Sequence, residues 1–247
     1  MNLTLDFDIA RSYKSKSQKY RVITETWLED NLYCPVCGEG RLNRYEANKP
    51  VADFFCSSCN SNYELKSRES KRSVSKGIIP DGAYDTMISR ITSLSNPNLL
   101  VMTHFNQSVT NLIFIPKFFF VPSVIIKRPP LKEDARRAGW VGCNIDLSAI
   151  PNEAKIPIIE DCSVAYPSSV MESYRRLLSL QTDKLQSRGW IMDTMACIDK
   201  IPNEHFTLRE LYLFEDLLRM KYPENNFIKD KLRQQLQILR DKGFIEF

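Results

Sequence analysis

Asp53, Glu64 and Lys66 lie close together in the chain, with ten residues between the two acids and a single leucine before the lysine. Residues 51–55 and 62–67 read as short strands, and the Cys56-Ser57-Ser58-Cys59 knuckle between them closes a hairpin. Across such a hairpin Asp53 and Glu64 face each other. Side chains alternate along a strand, so Glu64 and Lys66 share a face and Leu65 points into the core. Two carboxylates on one face suit a hard cation such as Mg²⁺, and the Leu65 carbonyl offers a third oxygen. A lysine beside that cation can orient, or help to deprotonate, an attacking water, while the cation offsets charge on a scissile phosphate. The chemistry expected is metal-dependent hydrolysis of a phosphodiester. An exposed strand face with two acids and a base would carry the same letters; Pro50 upstream and the strand context lift the site reading to stand level with it.

Four cysteines are interleaved with this pattern. Cys34, Cys37, Cys56 and Cys59 follow C-x2-C-x18-C-x2-C, a spacing typical of zinc. Pro35 and Gly38 shape a turn whose amides can face thiolates. Four sulfurs complete a tetrahedral shell with no open position, so a structural Zn²⁺ is expected. A redox CxxC or two disulfides are the other readings. Cys143, Cys162 and Cys197 are scattered, and small buried hydrophobes are the expected roles.

The elements that must hold these groups come from a chain of 247 residues, enough for one large domain or two. Hydrophobic content is 43%, ample for a packed core. The start, Met1-Asn2-Leu3-Thr4, has neither a basic nor an apolar leader region, so no signal peptide is expected. The most apolar stretch, residues 111–126, is broken by Pro116, Lys117 and Pro122, and reads as buried strands, not a membrane span. Free thiols with a zinc site imply the cytoplasm. The net charge of +4 is compatible with nucleic acid. Residues 181–247 carry 11 basic and 11 acidic groups, so the excess lies upstream. It gathers at Lys14, Lys16, Lys19 and Arg21, and again from Lys66 through Arg68, Lys71 and Arg72 to Lys76. The second cluster reads as a loop that clamps phosphate or is simply solvated.

Residues 17–30 read as an amphipathic helix, 81–91 as another helix, and 99–105 and 112–115 as strands. Helix, hairpin, helix and further strands describe an α/β core over residues 1–182. From residue 183 the pattern is helical. A helix over 190–199 is followed by a capping box at Thr207-Leu208-Arg209-Glu210 that opens a helix to about Met220. A third helix runs over 226–242, with Ile228, Leu232, Leu236 and Leu239 as its apolar stripe and Gly243 as its stop. An extended end over 244–247 completes a winged-helix variant of helix-turn-helix. The outer face of the third helix carries Lys231, Arg233, Gln234 and Gln237, types that reach phosphates and base edges. A solvated helix face would have the same composition. Between Lys127 and Asp146, a loop shaped by Pro129, Pro130, Gly139 and Gly142 places Trp140 beside Arg136 and Arg137, suited to holding a base or methyl group against a π-face. Packing under the loop is the other reading of Trp140.

These segments together resemble the DpnI-type methyl-directed restriction endonucleases. The matching pieces include Cys34-Pro35-Val36-Cys37-Gly38, Pro50-Val51-Ala52-Asp53-Phe54, Cys56-Ser57-Ser58-Cys59, Glu64-Leu65-Lys66, Asp81-Gly82-Ala83-Tyr84, Ala135-Arg136-Arg137-Ala138-Gly139-Trp140, Ser187-Arg188-Gly189-Trp190 and Arg233-Gln234-Gln235-Leu236-Gln237. They span nearly the whole chain. The resemblance implies an α/β (mixed) PD-(D/E)xK restriction-endonuclease-like core with an inserted zinc ribbon over about residues 34–59, plus a small, mainly α winged-helix domain over 183–247. It implies a Mg²⁺-dependent nuclease, probing N6-methyladenine in GATC with both domains. Its partner would be double-stranded methylated DNA, with no membrane and a monomeric state. In the family pattern a basic hairpin strand continues past the position of Phe247, so a shortened or missing wing is expected. A nuclease of this fold without methyl dependence, and a non-catalytic zinc-ribbon/winged-helix DNA-binding protein, are the alternatives; the intact Asp53, Glu64 and Lys66 speak against the second.

Overall fold

A computed structural model of the chain describes residues 1–46, 52–72, 75–93 and 95–247. Val51, the first residue of the expected strand over 51–55, and Pro50 before it lie outside the described residues, as do two positions of the basic run after Lys66. Helix α1 (Lys16–Asn31) buries Ile23, Trp27 and Leu28, the stripe its spacing predicts. Short strands β1 (Asn43–Arg44) and β2 (Phe54–Phe55) lead to β3 (Asn62–Glu69). Then come β4 (Ile78–Ala83), α2 (Tyr84–Thr92), β5 (Asn98–Phe105) and β6 (Ser108–Ile115). Strands β7 (Ile125–Lys127), β8 (Gly142–Asp146), β9 (Ile156–Glu160) and β10 (Ser163–Val164) complete the β structure. Helices α3 (Pro167–Leu178), α4 (Leu185–Ile198), α5 (Leu208–Tyr212), α6 (Glu215–Lys221) and α7 (Ile228–Asp241) close the chain.

Among the described residues the strands form a seven-stranded sheet, ordered β1-β2-β3-β5-β6-β9-β10, and a three-stranded sheet, β4-β8-β7. The β3–β5 pair is parallel, so the chain must cross over between them. That crossover carries β4 and α2, as a parallel connection requires. Strand β5 is buried from Asn98 to His104, which fits its central place and its continuous apolar run. Asn106 and Gln107, both with positive φ (46° and 62°), turn β5 tightly into β6.

The large sheet, α1 and α3 enclose one core, to which α4 adds Ile191, Met192 and Met195. A second core holds Trp190, Cys197, Leu211, Leu218, Ile228, Leu232 and Leu236. Helix α4 lies between the two, and this is why its residues Arg188 to Cys197 are all buried. The capping box is present, with Thr207 accepting from the Glu210 amide and Glu210 accepting from the Thr207 amide.

Several expectations need correction. Residues 81–83 are strand, not helix: Asp81 pairs with Cys143 on β8, and the helix starts at Tyr84. The basic run after Lys66 begins as strand, since β3 extends to Glu69. The helix expected to run to Met220 is broken at Leu213 and Phe214 into α5 and α6. Residues 111–126 hold the end of β6 and the first two residues of β7, but between them run tight turns at Lys117–Phe119 and Pro122–Val124, with Phe118, Phe119 and Phe120 packed inward. Residues 244–247 form no strand; the Phe244 amide folds back to the Leu239 carbonyl. Cys162 is exposed, at a positive-φ turn into β10, while Cys143 and Cys197 are buried.

Candidate active site

Asp53 sits just before β2 and extends its pairing. Its amide donates to the Tyr63 carbonyl, and its own carbonyl accepts from the Tyr45 amide. Its carboxylate turns towards β3, where Oδ2 accepts a 2.8 Å hydrogen bond from the Leu65 amide. In a strand the N–H and C=O of one residue face the same edge. The Leu65 carbonyl therefore faces the edge that Asp53 occupies, beyond the end of β2. The hairpin thus brings together the Asp53 carboxylate, the Leu65 carbonyl and, one residue earlier, Glu64.

The other face of β3 packs on α1, where Thr24 Oγ1 donates to Ser67 Oγ at 3.2 Å. Glu64 and Lys66 point away from it, towards β4. Lys66 Nζ lies 2.7 Å from Glu64 Oε1 and 2.6 Å from Asp81 Oδ1. Arg90 on α2 reaches Glu64 Oε2 at 3.8 Å. Burial pushes the Glu64 carboxyl above its usual range, and Asp81 adds to this against the pull of Lys66 and Arg90. Burial works against the charge on Lys66, yet Glu64 and Asp81 outweigh it and raise the ammonium. Beside it runs a groove of about 590 Å³ lined by Lys66, Arg68, Ile78, Ile79, Pro80 and Val101.

Sequence reading missed Asp81, Arg90 and Glu25 as neighbours of this site. Glu25, on α1, is buried between Arg21 (3.1 Å) and Arg44 (3.7 Å). Burial raises its carboxyl; Arg21 opposes this, and the charge on Asp53 adds to it. At about 100° per residue, helix periodicity turns Glu25 away from Ile23 and Trp27, so no local pattern marked its burial.

The four cysteines converge. Cys34 and Cys37 stand in the turn after α1, and Cys56 and Cys59 in the turn from β2 to β3. Their sulfurs all lie within 4.8 Å of one another. Cys34–Cys59 and Cys37–Cys56 are 3.6 and 3.7 Å apart. A tetrahedron with metal–sulfur bonds of about 2.3 Å has edges of about 3.8 Å, so the cluster could hold a zinc ion. Gly38 takes φ +79°, letting its amide close on the Cys34 carbonyl at 2.8 Å. Burial pushes the thiols of Cys34 and Cys37 up. It does the same to Cys56, but the amides of Cys59 and Ser58 outweigh it and bring that thiol down to about 7. The Tyr63 hydroxyl is 2.9 Å from Cys34 Sγ, which ties the cluster to the residue preceding Glu64.

The residues expected to read DNA fall in two places. Trp140 is half-buried, with the Arg137 guanidinium 4.5 Å and that of Arg128 5.4 Å from its ring. Its loop is pinned by the Leu131 amide to the Trp140 carbonyl and the Gly139 amide to the Leu131 carbonyl. Arg136 is exposed beside it. On α7, Arg233, Gln234 and Gln237 are exposed opposite buried Leu232, Leu236 and Leu239. Lys231 donates to Gln234 at 2.7 Å, and Arg233 lies over the Tyr212 ring at 5.7 Å.

Residues 1–183 match the family described as DpnI, the Dam-replacing family, and residues 186–247 match its Dam-replacing helix-turn-helix domain. The chain therefore belongs to the DpnI, or Dam-replacing, family. Membership carries with it a restriction endonuclease directed at Dam-methylated DNA, with the helical C-terminal unit as a winged-helix DNA-binding domain. No helix among the described residues is long and apolar enough to cross a membrane.

Proposed function

We propose that this protein is a monomeric, cytoplasmic type II restriction endonuclease that hydrolyses double-stranded DNA at N6-methyladenine-containing GATC, with Mg²⁺ as its catalytic ion. Residues 1–182 form the PD-(D/E)xK catalytic unit and 183–247 the winged-helix reader. The observation that carries this reading is the Asp53 carboxylate fixed to the Leu65 amide at 2.8 Å, beside Glu64 and its 2.7 Å partner Lys66. The donor set fits a hard cation: two carboxylates and one carbonyl, with a buried glutamate whose charge a cation would relieve. When bound, such an ion supplies charge neutralisation on the phosphate and acidifies a bound water. Asp53, Glu64 and the Leu65 carbonyl hold it. Lys66 holds the attacking water in line with phosphorus. A Zn²⁺ held by Cys34, Cys37, Cys56 and Cys59 fixes the hairpin and takes no part in chemistry. Plasmid carrying methylated GATC should stay intact in metal-depleted buffer and be cut once Mg²⁺ is added. Binding without cutting under both conditions would favour a non-catalytic DNA-binding protein.

The methyl group sets a demanding recognition problem. N6-methyladenine keeps one N–H, so a Gln or Asn that needs two hydrogens is a poor reader. One methyl moved out of water is worth only about 1 kcal/mol. Strong dependence therefore calls for two readings of the site. Trp140, flanked by Arg136 and Arg137, is the reader in the catalytic unit. Lys231, Arg233, Gln234 and Gln237 on α7 form the second. Contacts on one chain multiply, because the second is intramolecular once the first forms. Base–aromatic stacking is worth about 1–3 kcal/mol, so Trp140→Ala should slow cutting of methylated DNA by roughly tenfold or more. Competition cleavage against the parent protein measures this, and equal rates would leave Trp140 a packing residue.

A further inference from the structure

The residue nearest the Lys66 ammonium is not one of the expected site residues. Asp81 Oδ1 lies 2.6 Å from Nζ, its side chain is only 7% exposed, and its Oδ2 is buried with no partner among the described residues. An ammonium has three donors. Glu64 and Asp81 fix two of them, so the third has one direction left, and Lys66 lines the groove beside Pro80. Glu64 is also committed to the cation in the reading above. Asp81 is then the anchor that remains for the lysine.

Asp81 is in turn tied to the reading loop. Its backbone carbonyl accepts from Arg128 Nη2 at 3.2 Å. The Arg128 amide donates to the Gly142 carbonyl at 3.0 Å, and its guanidinium faces the Trp140 ring at 5.4 Å. A Cβ at Gly142 would collide with that guanidinium, so glycine there lets Arg128 lie across β8 to reach β4. Strand pairing of Asp81 with Cys143 and a bulge before Ala83 hold the other side of this contact. Trp140, Arg128, Asp81 and Lys66 thus form one continuous chain of contacts from the reading loop to the ammonium.

We infer that Asp81 is a positioning residue for Lys66 and that Arg128 couples this placement to the Trp140 loop. The inference rests on the nuclease reading above. It gives methyl recognition a route to the chemical step, since a base seated on Trp140 meets the same guanidinium that holds Asp81. Misplacement of a reacting group by about 1 Å costs on the order of a hundredfold in rate.

The test is steady-state cleavage of methylated DNA at saturating Mg²⁺ by the full chain, with the single-turnover rate, DNA affinity and Tm measured in parallel. Asp81→Asn should lower kcat by roughly tenfold to a hundredfold with KM and DNA affinity near the parent values. Asp81→Glu, which restores the carboxylate, should recover part of the loss. Arg128→Ala should lower kcat too, and the double variant should lose no more than the worse single variant, because both act through one contact chain. A parent-like kcat for Asp81→Asn, or a loss seen only in KM or Tm, overturns the positioning role. Losses that multiply in the double variant overturn the coupling. If Asp81→Asn does not fold, a parent-like kcat for Arg128→Ala overturns the inference on its own. A parent chain that never cuts methylated DNA removes the nuclease reading itself, a result distinct from any of these.

Discussion

Asp53→Ala should reduce cleavage of methylated DNA by about a thousandfold or more while leaving DNA binding close to that of the parent. In the proposed function the Asp53 side chain would serve the cation directly, and the Leu65 amide fixes that carboxylate at 2.8 Å. A metal ion contributes several kcal/mol of transition-state charge stabilisation, and ~4 kcal/mol is about a thousandfold in rate. The loss to folding is much smaller, since one hydrogen bond contributes about 1 kcal/mol net. Gel-shift titration beside single-turnover cleavage separates the two effects. Parent-like cutting by the variant would remove Asp53 from the cation site.

The second large effect is expected at the cysteines. Structural zinc contributes about 10–16 kcal/mol in small zinc domains, comparable to the whole stability of an ordinary domain. Cys56 and Cys59 stand at the hairpin that carries Asp53, and Cys34 touches Tyr63 next to Glu64. Cys56→Ser should therefore lower the Tm, release the zinc and lose cleavage, though it changes no group of the proposed triad. Strong chelation of the parent protein should have the same outcome. Pure parent protein that contains no zinc yet keeps full activity would contradict it.

These two effects concern the part of the molecule most legible in the sequence. The hairpin, the knuckles and the alternation that puts Glu64 and Lys66 on one face are local, set by residues within a few positions of each other. The α7 stripe was legible for the same reason, because Ile228, Leu232, Leu236 and Leu239 repeat at helical spacing and are buried. What could not be read was long-range. Asp81 reaches Lys66 only because β4 leaves the large sheet and pairs with β8, more than sixty residues away along the chain. Asp-Gly before a run with helical spacing reads as a helix start, and strand pairing overrides that local preference. A short helix was expected over residues 190–199; α4 begins earlier, at Leu185, and its residues Arg188 to Cys197 are all buried because two cores meet on it. Neither partner surface is encoded in its own residues. The contacts of Arg128 with Trp140 and Asp81 depend in the same way on the closeness of β7 and β8, which their few residues do not announce.

The central claim joins a hydrolytic site to a methylated target. It is tested most directly by comparing plasmid grown with and without adenine methylation at GATC, each incubated with the parent protein and Mg²⁺. The account predicts fragments ending at GATC sites from the methylated plasmid and an uncut unmethylated one. Equal cutting of both would contradict methyl-directed recognition, and no cutting of either would contradict the active site.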